Sequence, residues 1–587
     1  MVIIMNGLND LIASAIEAQV PLEPADVRKL ISKPKVRDMG DVAFPCHPLA
    51  KTYKKPPKFI AEELAETISA KLKGSGVAEV TANNGYVNFK FDDRAVYDHV
   101  LGAVLSMREN YGSNTLGNDR LVVIDYSAPN LGKPMHVGHI RSTIIGDSTK
   151  RILEFTGHRT YGINYLGDIG LHIGKIAAAY MHWGDAESLN RDPEKEMFEL
   201  YVRFGKEAEA NPSLDAEAKN ALEEIEAGNP EYVELWDKIR VWSQAAFDRV
   251  YELLDVEFDE TTGQSRFSDK GKAIVQKALE NKLARYKKDG GEEEKVAMEE
   301  GEGNGGVVIP LEEYGLRDKI ILRSDGTAIY STQDLGAAVS RYEEHKFDRM
   351  IYVVATEQSL YFQQLFKIIE LMGNDWHEKC HHLGFGLIHL AEGRMSTREG
   401  NIVLLEDVVL KSVDEAKKAI AEKHYTDEQR EVIARQVGIG ALKYSVLGVD
   451  PVKDITFSWE NAMNLSGNSG PYIQYQHARA NTLLKKAGAN PDNLRYKTEE
   501  FTLQQERDLV AKIGDFPEIV QRAGEKLSPN IICNYLNELA LQFSSYYSKV
   551  HVIGTPEQES RIAVVYAVKQ TLENGLNLLG IKAPQEM

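Results

Sequence analysis

The residues best equipped for chemistry stand together in the run Asp125-Tyr-Ser-Ala-Pro-Asn-Leu-Gly-Lys-Pro-Met-His-Val-Gly-His139. The apolar stretch LVVIDYS (121–127) reads as a buried strand. A Pro/Gly loop follows it, and then a helical pattern from 136 to 155. In open α/β sheets, ligands bind beyond the carboxyl ends of the strands. A helix N-terminus offers unpaired N–H groups and a positive dipole end to phosphates. His136 and His139 are three apart, which predicts both on one face of the first helical turn, facing a polyphosphate. Gly138 has no Cβ and leaves room for a flat ring against the backbone. A metal site is the rival, but no third ligand of suitable spacing follows on this helix. A pair of capping histidines without function is the bland alternative. The cluster His377, Cys380, His381 and His382 reads as surface or packing, because adjacent residues on an extended chain point to opposite faces.

The elements that must position these groups fall into three regions. Residues 1–113 read as a small α+β domain, with helical spacing at Leu8–Ala18 and Pro57–Leu72 and strands at Val77–Thr81 and Tyr86–Phe91. Residues 114–455 alternate apolar strands with helices, the pattern of a parallel α/β sheet. Further strands are expected at Tyr161–Tyr165, Met350–Ala355 and Leu383–His389. The alternation is interrupted by an insertion expected at about 175–310, helical through 185–234 and ending in a Gly/Glu-rich flexible loop at 288–306. Residues 456–587 read as an all-α helix bundle.

Composition narrows the function classes. The chain has 587 residues, 43% hydrophobic and 27% charged, as in ordinary globular proteins. No run approaches the ~18 apolar residues of a membrane helix, and the start MVII lacks the basic region of a secretory signal. Cys46, Cys380 and Cys533 lie far apart, which fits a reducing cytoplasm. The net charge of -19 is uneven. Residues 185–234 hold fifteen acidic against five basic residues, and 292–302 six against one, whereas 28–58 hold nine Lys/Arg against two Asp. A local basic face for a large anion is therefore compatible with an acidic total, and a solvated surface loop is the alternative.

The strand–loop–helix resembles the HIGH signature of class I aminoacyl-tRNA synthetases, and DYSAPN–GKPMHVGHIRSTIIGD is similar to the arginyl-tRNA synthetases specifically. GINYLGDIGLHIG (162–174), LRSDGTAIYSTQDLGAA (322–338), YVVATEQSLYFQQLF (352–366) and GPYIQYQHARA (470–480) agree with that family, as do GDVAFP (40–45) and GYVNFKF (85–91). RMSTREG (394–400) resembles the family's form of the KMSKS loop. The resemblance implies a class I Rossmann-like catalytic domain with a helical insertion, a small α+β N-terminal domain that meets the tRNA elbow, and a helical anticodon-binding domain. It implies an arginine–tRNA ligase that activates L-arginine with ATP and Mg²⁺, carries no prosthetic group and acts on cognate arginine tRNA. A cytoplasmic monomer without membrane attachment is expected.

Residue by residue, the resemblance gives catalytic roles to His136, His139, Lys133, Ser396 and Arg398. It gives arginine binding to Asp125, Asn130, Tyr330, Asp334 and Gln358. Tyr330 and Asp334 are four apart on one helix face, and a carboxylate suits a guanidinium through two parallel hydrogen bonds. ATP binding is assigned to His136, Gly138, His139, Tyr361, Arg394, Met395 and Ser396. Tyr361 stands where the family often has His, a change that keeps adenine stacking. Thr397 replaces the second Lys of KMSKS, so the cation on the leaving pyrophosphate is either Lys133 or Arg398. Tyr472, Tyr475, Tyr546 and Tyr547 are candidates for stacking on splayed bases, or are core aromatics.

Overall fold

The computed structural model describes residues 6–34, 39–287, 306–390, 403–421 and 424–587. The strands, in chain order, are β1 (Val42–Pro45), β2 (Val77–Asn83), β3 (Tyr86–Phe91), β4 (Leu121–Asp125), β5 (Arg159–Leu166), β6 (Glu260–Gly263), β7 (Arg285–Tyr286), β8 (Val307–Ile309), β9 (Lys319–Leu322), β10 (Arg349–Ala355), β11 (Cys380–Phe385), β12 (Ile388–Leu390) and β13 (Ile455–Phe457). The central sheet has the order β11-β10-β4-β5-β6. Every neighbouring pair in it is parallel. Val122, Val123 and Ile124 are buried on both faces of β4, as the unbroken apolar run requires. From β4 the chain builds β5 and β6 on one side, then returns to place β10 and β11 on the other. The order reverses between β4 and β10, and a crevice opens there beyond Asp125 and Ala355.

The α/β class, the helical insertion and the C-terminal helices agree with the sequence reading, and several details differ. The helix expected from 136 begins at His139. The stretch 383–389 is not one strand: β11 ends at Phe385, and β12 pairs with β13 in a separate two-stranded sheet. The break is fixed by Gly386 N–H on the Pro451 carbonyl and Leu387 N–H on Asp454. The insertion expected at 175–310 is not continuous, because β6 within it pairs with β5 as the sheet edge. Its acidic part is helical, with Pro193–Ala210, Ser213–Glu226 and Pro230–Leu254 as its longest helices. The loop expected at 288–306 lies almost wholly outside the described residues. The boundary expected at 455/456 falls within β13.

In the N-terminal region the antiparallel sheet β1-β3-β2 packs against helix Pro57–Lys71. This region is docked on the C-terminal helices. Tyr111 donates its hydroxyl to the Ile513 carbonyl (2.8 Å), Asn574 donates to the carbonyls of Arg108 and Tyr111, and Arg507 pairs with Asp41 and Asp93. The junction at residues 108–111 is thus anchored to those helices. The three cysteines are buried free thiols. Among the described residues, no helix is long and apolar enough to cross a membrane.

Candidate active site

Beyond Asp125 the chain turns sharply: Ser127 (φ 73°) and Ala128 (φ 51°) are consecutive left-handed residues, and neither is glycine. Such backbone costs of order 1–3 kcal/mol per residue and persists only where its surroundings over-determine it. Here they do. Ser127 N–H donates to Ser142 Oγ, its hydroxyl bonds Thr143 and Tyr251 at 2.8 Å each, and Ala128 N–H donates to Asn164 Oδ1. Gly132 N–H is held by Ser243 Oγ at 2.8 Å. The next residue, Lys133, lies with its ammonium 4.3 Å from the Tyr201 ring centroid. Tyr201, Ser243 and Tyr251 all come from the inserted helices, which therefore wall the loop.

The two histidines meet, though not as successive faces of a helical turn. His136 precedes the helix, and its backbone bridges Leu404. The rings lie 4.1 Å apart between centroids, tilted by 41°. His136 N–H donates to His139 Nδ1, and Gly138 N–H donates to His136 Nδ1, both at 3.1 Å. Each Nδ1 therefore accepts, which places the proton of each neutral ring on Nε2. Burial and the neighbouring His136 and Lys133 push His139 down to about 3, and burial and Lys133 lower His136. Both rings are neutral donors at pH 7. The space beside Gly138 is taken by His136 itself: a Cβ there would lie 2.8 Å from His136 Cε1. The amides of Gly138, His139 and Ile140 are also spent on His136 Nδ1, the His136 carbonyl and the Val137 carbonyl. The helix end thus has fewer free N–H groups than expected, and the two imidazoles add Nε2–H donors beside it.

Asp125, Asn130, Tyr330, Asp334, Gln358 and Tyr361 line one cleft of about 790 Å³ at the β4/β10 crevice. Asn130 is held there by a bridge to Gly167. Tyr330 opens helix Tyr330–His345 and is 52% exposed, which leaves its hydroxyl available. Asp334, one turn on, accepts a hydrogen bond from the Tyr361 hydroxyl. Burial lifts Asp334 to about 6 against the opposing effects of Tyr361 and Arg341. This geometry runs against adenine stacking by Tyr361. Its hydroxyl is committed to Asp334, and the Lys319 ammonium covers one ring face at 4.2 Å. Asp125 is already engaged, since Arg341 Nη1 lies 2.8 Å from its Oδ2. Sequence reasoning missed Arg341, Lys319 and Tyr165 as cleft residues. For Arg341 a signal existed: it stands seven residues after Asp334, two turns along the same helix face.

Arg394, Met395, Ser396, Thr397 and Arg398 lie outside the described residues. The first residue described after them, Val403, accepts from Val137 N–H, and Leu405 N–H donates to Met135. Residues 403–405 therefore run beside residues 135–137, next to the histidines. Cys380, His381 and His382 lie in β11, with His382 stacked on Phe362. Of the four bundle tyrosines, Tyr472 and Tyr546 are core residues. Tyr475 and Tyr547 instead flank the Arg479 guanidinium at 4.7 and 4.8 Å.

Comparison with known proteins gives this arrangement a family. The profile described as "tRNA synthetases class I (R), catalytic domain" matches residues 100–459, "Arginyl tRNA synthetase N terminal domain" matches 6–91, and "DALR anticodon binding domain" matches 473–587. The arginine–tRNA ligase of Clostridium botulinum (strain 657) is 38% identical over 98% of this chain and 99% of its own. That of Clostridioides difficile (strain 630) is 38% identical over 96% and 97%. The solved Thermus thermophilus arginyl-tRNA synthetase superposes with a TM-score of 0.80 at 25% identity, covering 99% of this chain and all of that one. The chain belongs to the arginyl-tRNA synthetase family of class I.

Proposed function

We infer that the enzyme activates L-arginine with ATP, releasing pyrophosphate, and passes the arginyl group to the 3′ end of its cognate tRNA. The observation that carries the reading is a cleft where Asp125 and Asp334 meet among tyrosines, at the topological switch of a parallel sheet and on the strand that leads into a pair of neutral histidines. A planar guanidinium needs a carboxylate and further acceptors in its plane, and Asp334 with the Tyr330 hydroxyl supplies them. Asp125, nearer the histidines along the chain, faces the α-ammonium. Asn130 and Gln358 orient the amino acid, and Tyr361 fixes Asp334.

The arginine carboxylate then attacks the α-phosphorus in line, and the bond to pyrophosphate breaks. Positioning and charge stabilisation do the work. His136 and His139 donate Nε2–H to phosphate oxygens, and Lys133 faces the charge that develops on the leaving pyrophosphate. Arg394, Met395, Ser396 and Arg398 complete the ATP side. The nucleotide enters as its Mg²⁺ complex, with the metal carried by phosphates and water.

In the bundle, Tyr475 and Tyr547 around Arg479 form a platform for splayed anticodon bases, and the N-terminal domain receives the tRNA elbow. Within the basic run, Arg28, Lys29, Lys33 and Lys55 are paired with Asp10, Asp26, Asp515 and Glu63. Lys51, Lys54 and Lys58 are exposed, and they are the described cations left for phosphate. A cytoplasmic monomer suits this architecture. ATP–pyrophosphate exchange tests the reading. Exchange is expected with arginine and tRNA present and not with lysine, whose point ammonium does not fill a forked acceptor set. Equal exchange with lysine would refute it.

A further inference from the structure

Arg341 is a buried cation in a cleft built to receive a cation. Its side chain is 3% exposed, and its single carboxylate partner among the described residues is Asp125, at 2.8 Å. Nε and Nη2 have no hydrogen-bond partner among those residues. The guanidinium instead lies near two aromatic rings, Tyr165 at 4.6 Å and Tyr352 at 5.7 Å. A guanidinium placed only to stabilise the fold would be expected to use more of its five donors, because a buried donor left unpaired costs about 1–3 kcal/mol. Asp125, for its part, accepts from this residue alone among the described side chains, and it faces the cleft with Asp334.

We propose that Arg341 is a positioning residue for substrate: it orients Asp125 and supplies the countercharge that lets Asp125 and Asp334 be ionised in one cleft at the same time. The proposal rests on the arginine-activating reading above. The titratable groups of the cleft come from every element around it. Helix Tyr330–His345 gives Tyr330, Asp334 and Arg341, β5 gives Tyr165, β10 gives Tyr352, the helix after Gln358 gives Tyr361, and β9 gives Lys319. Arg317 and Asp318, just before β9, are opposite in sign, and Asp318 already has Arg285 at 3.5 Å. Burial raises all four phenols, so they stay neutral. The Cys380 thiol behind Tyr352 is likewise pushed up, to about 12. The charges lining the recess are then Asp125, Asp318 and Asp334 against Arg317, Lys319 and Arg341, and of these cations only Arg341 lies within ion-pair distance of Asp125. Burial raises Asp125, and Arg341 opposes that rise. With the guanidinium removed, Asp125 loses its ion-pair partner while Lys319 still faces Asp334, so Asp125 is the carboxylate that would take a proton. Arginine carries two cationic groups and needs both acceptors charged. An amino acid analogue without the α-ammonium needs only one.

The test is equilibrium binding of arginine and of 5-guanidinopentanoate, which lacks the ammonium, to the full-length enzyme between pH 5.5 and 8.5. In Arg341→Met, arginine affinity at pH 7 is expected to fall at least ~30-fold, and its acid limb to move up by about one pH unit or more. The analogue should weaken less than about threefold, and Arg341→Lys should recover most of the arginine loss, since it restores the charge. Equal losses for arginine and the analogue, or an unmoved acid limb, would overturn the proposal. If Arg341→Met does not fold, the cycle Arg341→Gln with Asp125→Asn decides: non-additive losses support the pairing and additive ones refute it. Failure of wild-type exchange with arginine would instead sink the underlying reading.

Discussion

Replacing Asp334 by Asn removes a charge while keeping the shape, so the resulting loss reports the charge. The amide oxygen of the Asp334→Asn variant can still accept from the Tyr361 hydroxyl, which preserves the contact seen with Asp334. What disappears is the charge-assisted pairing with the guanidinium, and the new amide N–H now faces another donor. Losing one partner of such a recessed pair costs roughly 2–5 kcal/mol, or about 30- to 5,000-fold in kcat/KM for arginine. The pH profile adds a second signature. Asp334 titrates near 6 in the unliganded cleft, because burial raises it above 3.8. In the proposed role Asp334 binds the guanidinium when ionised, so kcat/KM is expected to be flat above about pH 6 and to fall tenfold per unit below it. In Asp334→Asn that limb should vanish. The sign for stability is opposite. A carboxyl whose folded value is raised favours the folded state below its unfolded value, and that contribution is lost as pH rises through about 6. At pH 8 the unliganded wild type therefore carries a destabilising charge, worth at most ~3 kcal/mol for a rise from 3.8 to about 6. Asp334→Asn should melt higher than wild type at that pH. Steady-state kinetics from pH 5 to 8.5 and a melting curve at pH 8 decide it. An intact arginine KM with a raised ATP KM would show that Asp334 does not hold the guanidinium, and a lowered melting temperature would refute the electrostatic account.

Because His139 sits near 3 and burial and Lys133 lower His136 below its ordinary value, single-turnover arginyl-adenylate formation should show no histidine titration between pH 7 and 8.5. His139→Ala should cost ~10²–10³ in that rate, and a rate that rises as His136 or His139 protonates would contradict the neutral-donor reading. Lys133→Ala should lose a comparable factor and Thr397→Lys should restore part of it; a Lys133→Ala enzyme within about threefold of wild type, with Arg398→Ala severely impaired, would transfer the role to Arg398. Replacing Lys51, Lys54 and Lys58 together by Ala should lower the slope of log affinity for tRNA against log salt by up to ~0.7–0.9 per lysine. Replacing Lys29 and Lys55, which are already paired, should change it little, and equal effects from the two sets would show that the pairs do not hold in solution. Deletion of residues 1–113 should destabilise the enzyme, because Arg108 and Tyr111 are hydrogen-bonded to the C-terminal helices; an unchanged melting temperature would refute that docking.

The elements with a clean period are legible in the chain. An unbroken apolar run needs cover on both faces, and LVVID at β4 has it at the centre of the sheet. Boundaries are less legible where tertiary contacts override the pattern. Helical spacing continues back through Val137 and His136, yet the helix starts at His139 because residues 135–137 are drawn into backbone pairing with Val403–Leu405. The apolar stretch 383–389 carries no mark of the sheet change at Gly386, which depends on Pro451 and Asp454 more than sixty residues away. Likewise β6, four residues long, has too short a pattern to stand out from the helices around it, so the insertion reads as continuous.

At the site, residue types are legible and their protonation is not. Spacing brings His136 and His139 together, but their neutral state follows from burial, from Lys133, and from two backbone N–H groups that claim both Nδ1 atoms. No one-dimensional pattern records which nitrogen a backbone amide will reach. Arg341 shows the same limit from the other side. Along the chain it is one more basic residue on an amphipathic helix, with Ser340 before it and Tyr342 after it. Its meaning appears only when the crossover from β6 back to β10 lays that helix beside the end of β4, setting its guanidinium on Asp125 and its first turn at the cleft. A cation-binding cleft with an arginine of its own is hard to explain from composition. In the proposed role it makes physical sense, because Asp125 shares the recess with Asp334 and needs a fixed positive charge at its own oxygen if both are to wait for substrate unprotonated.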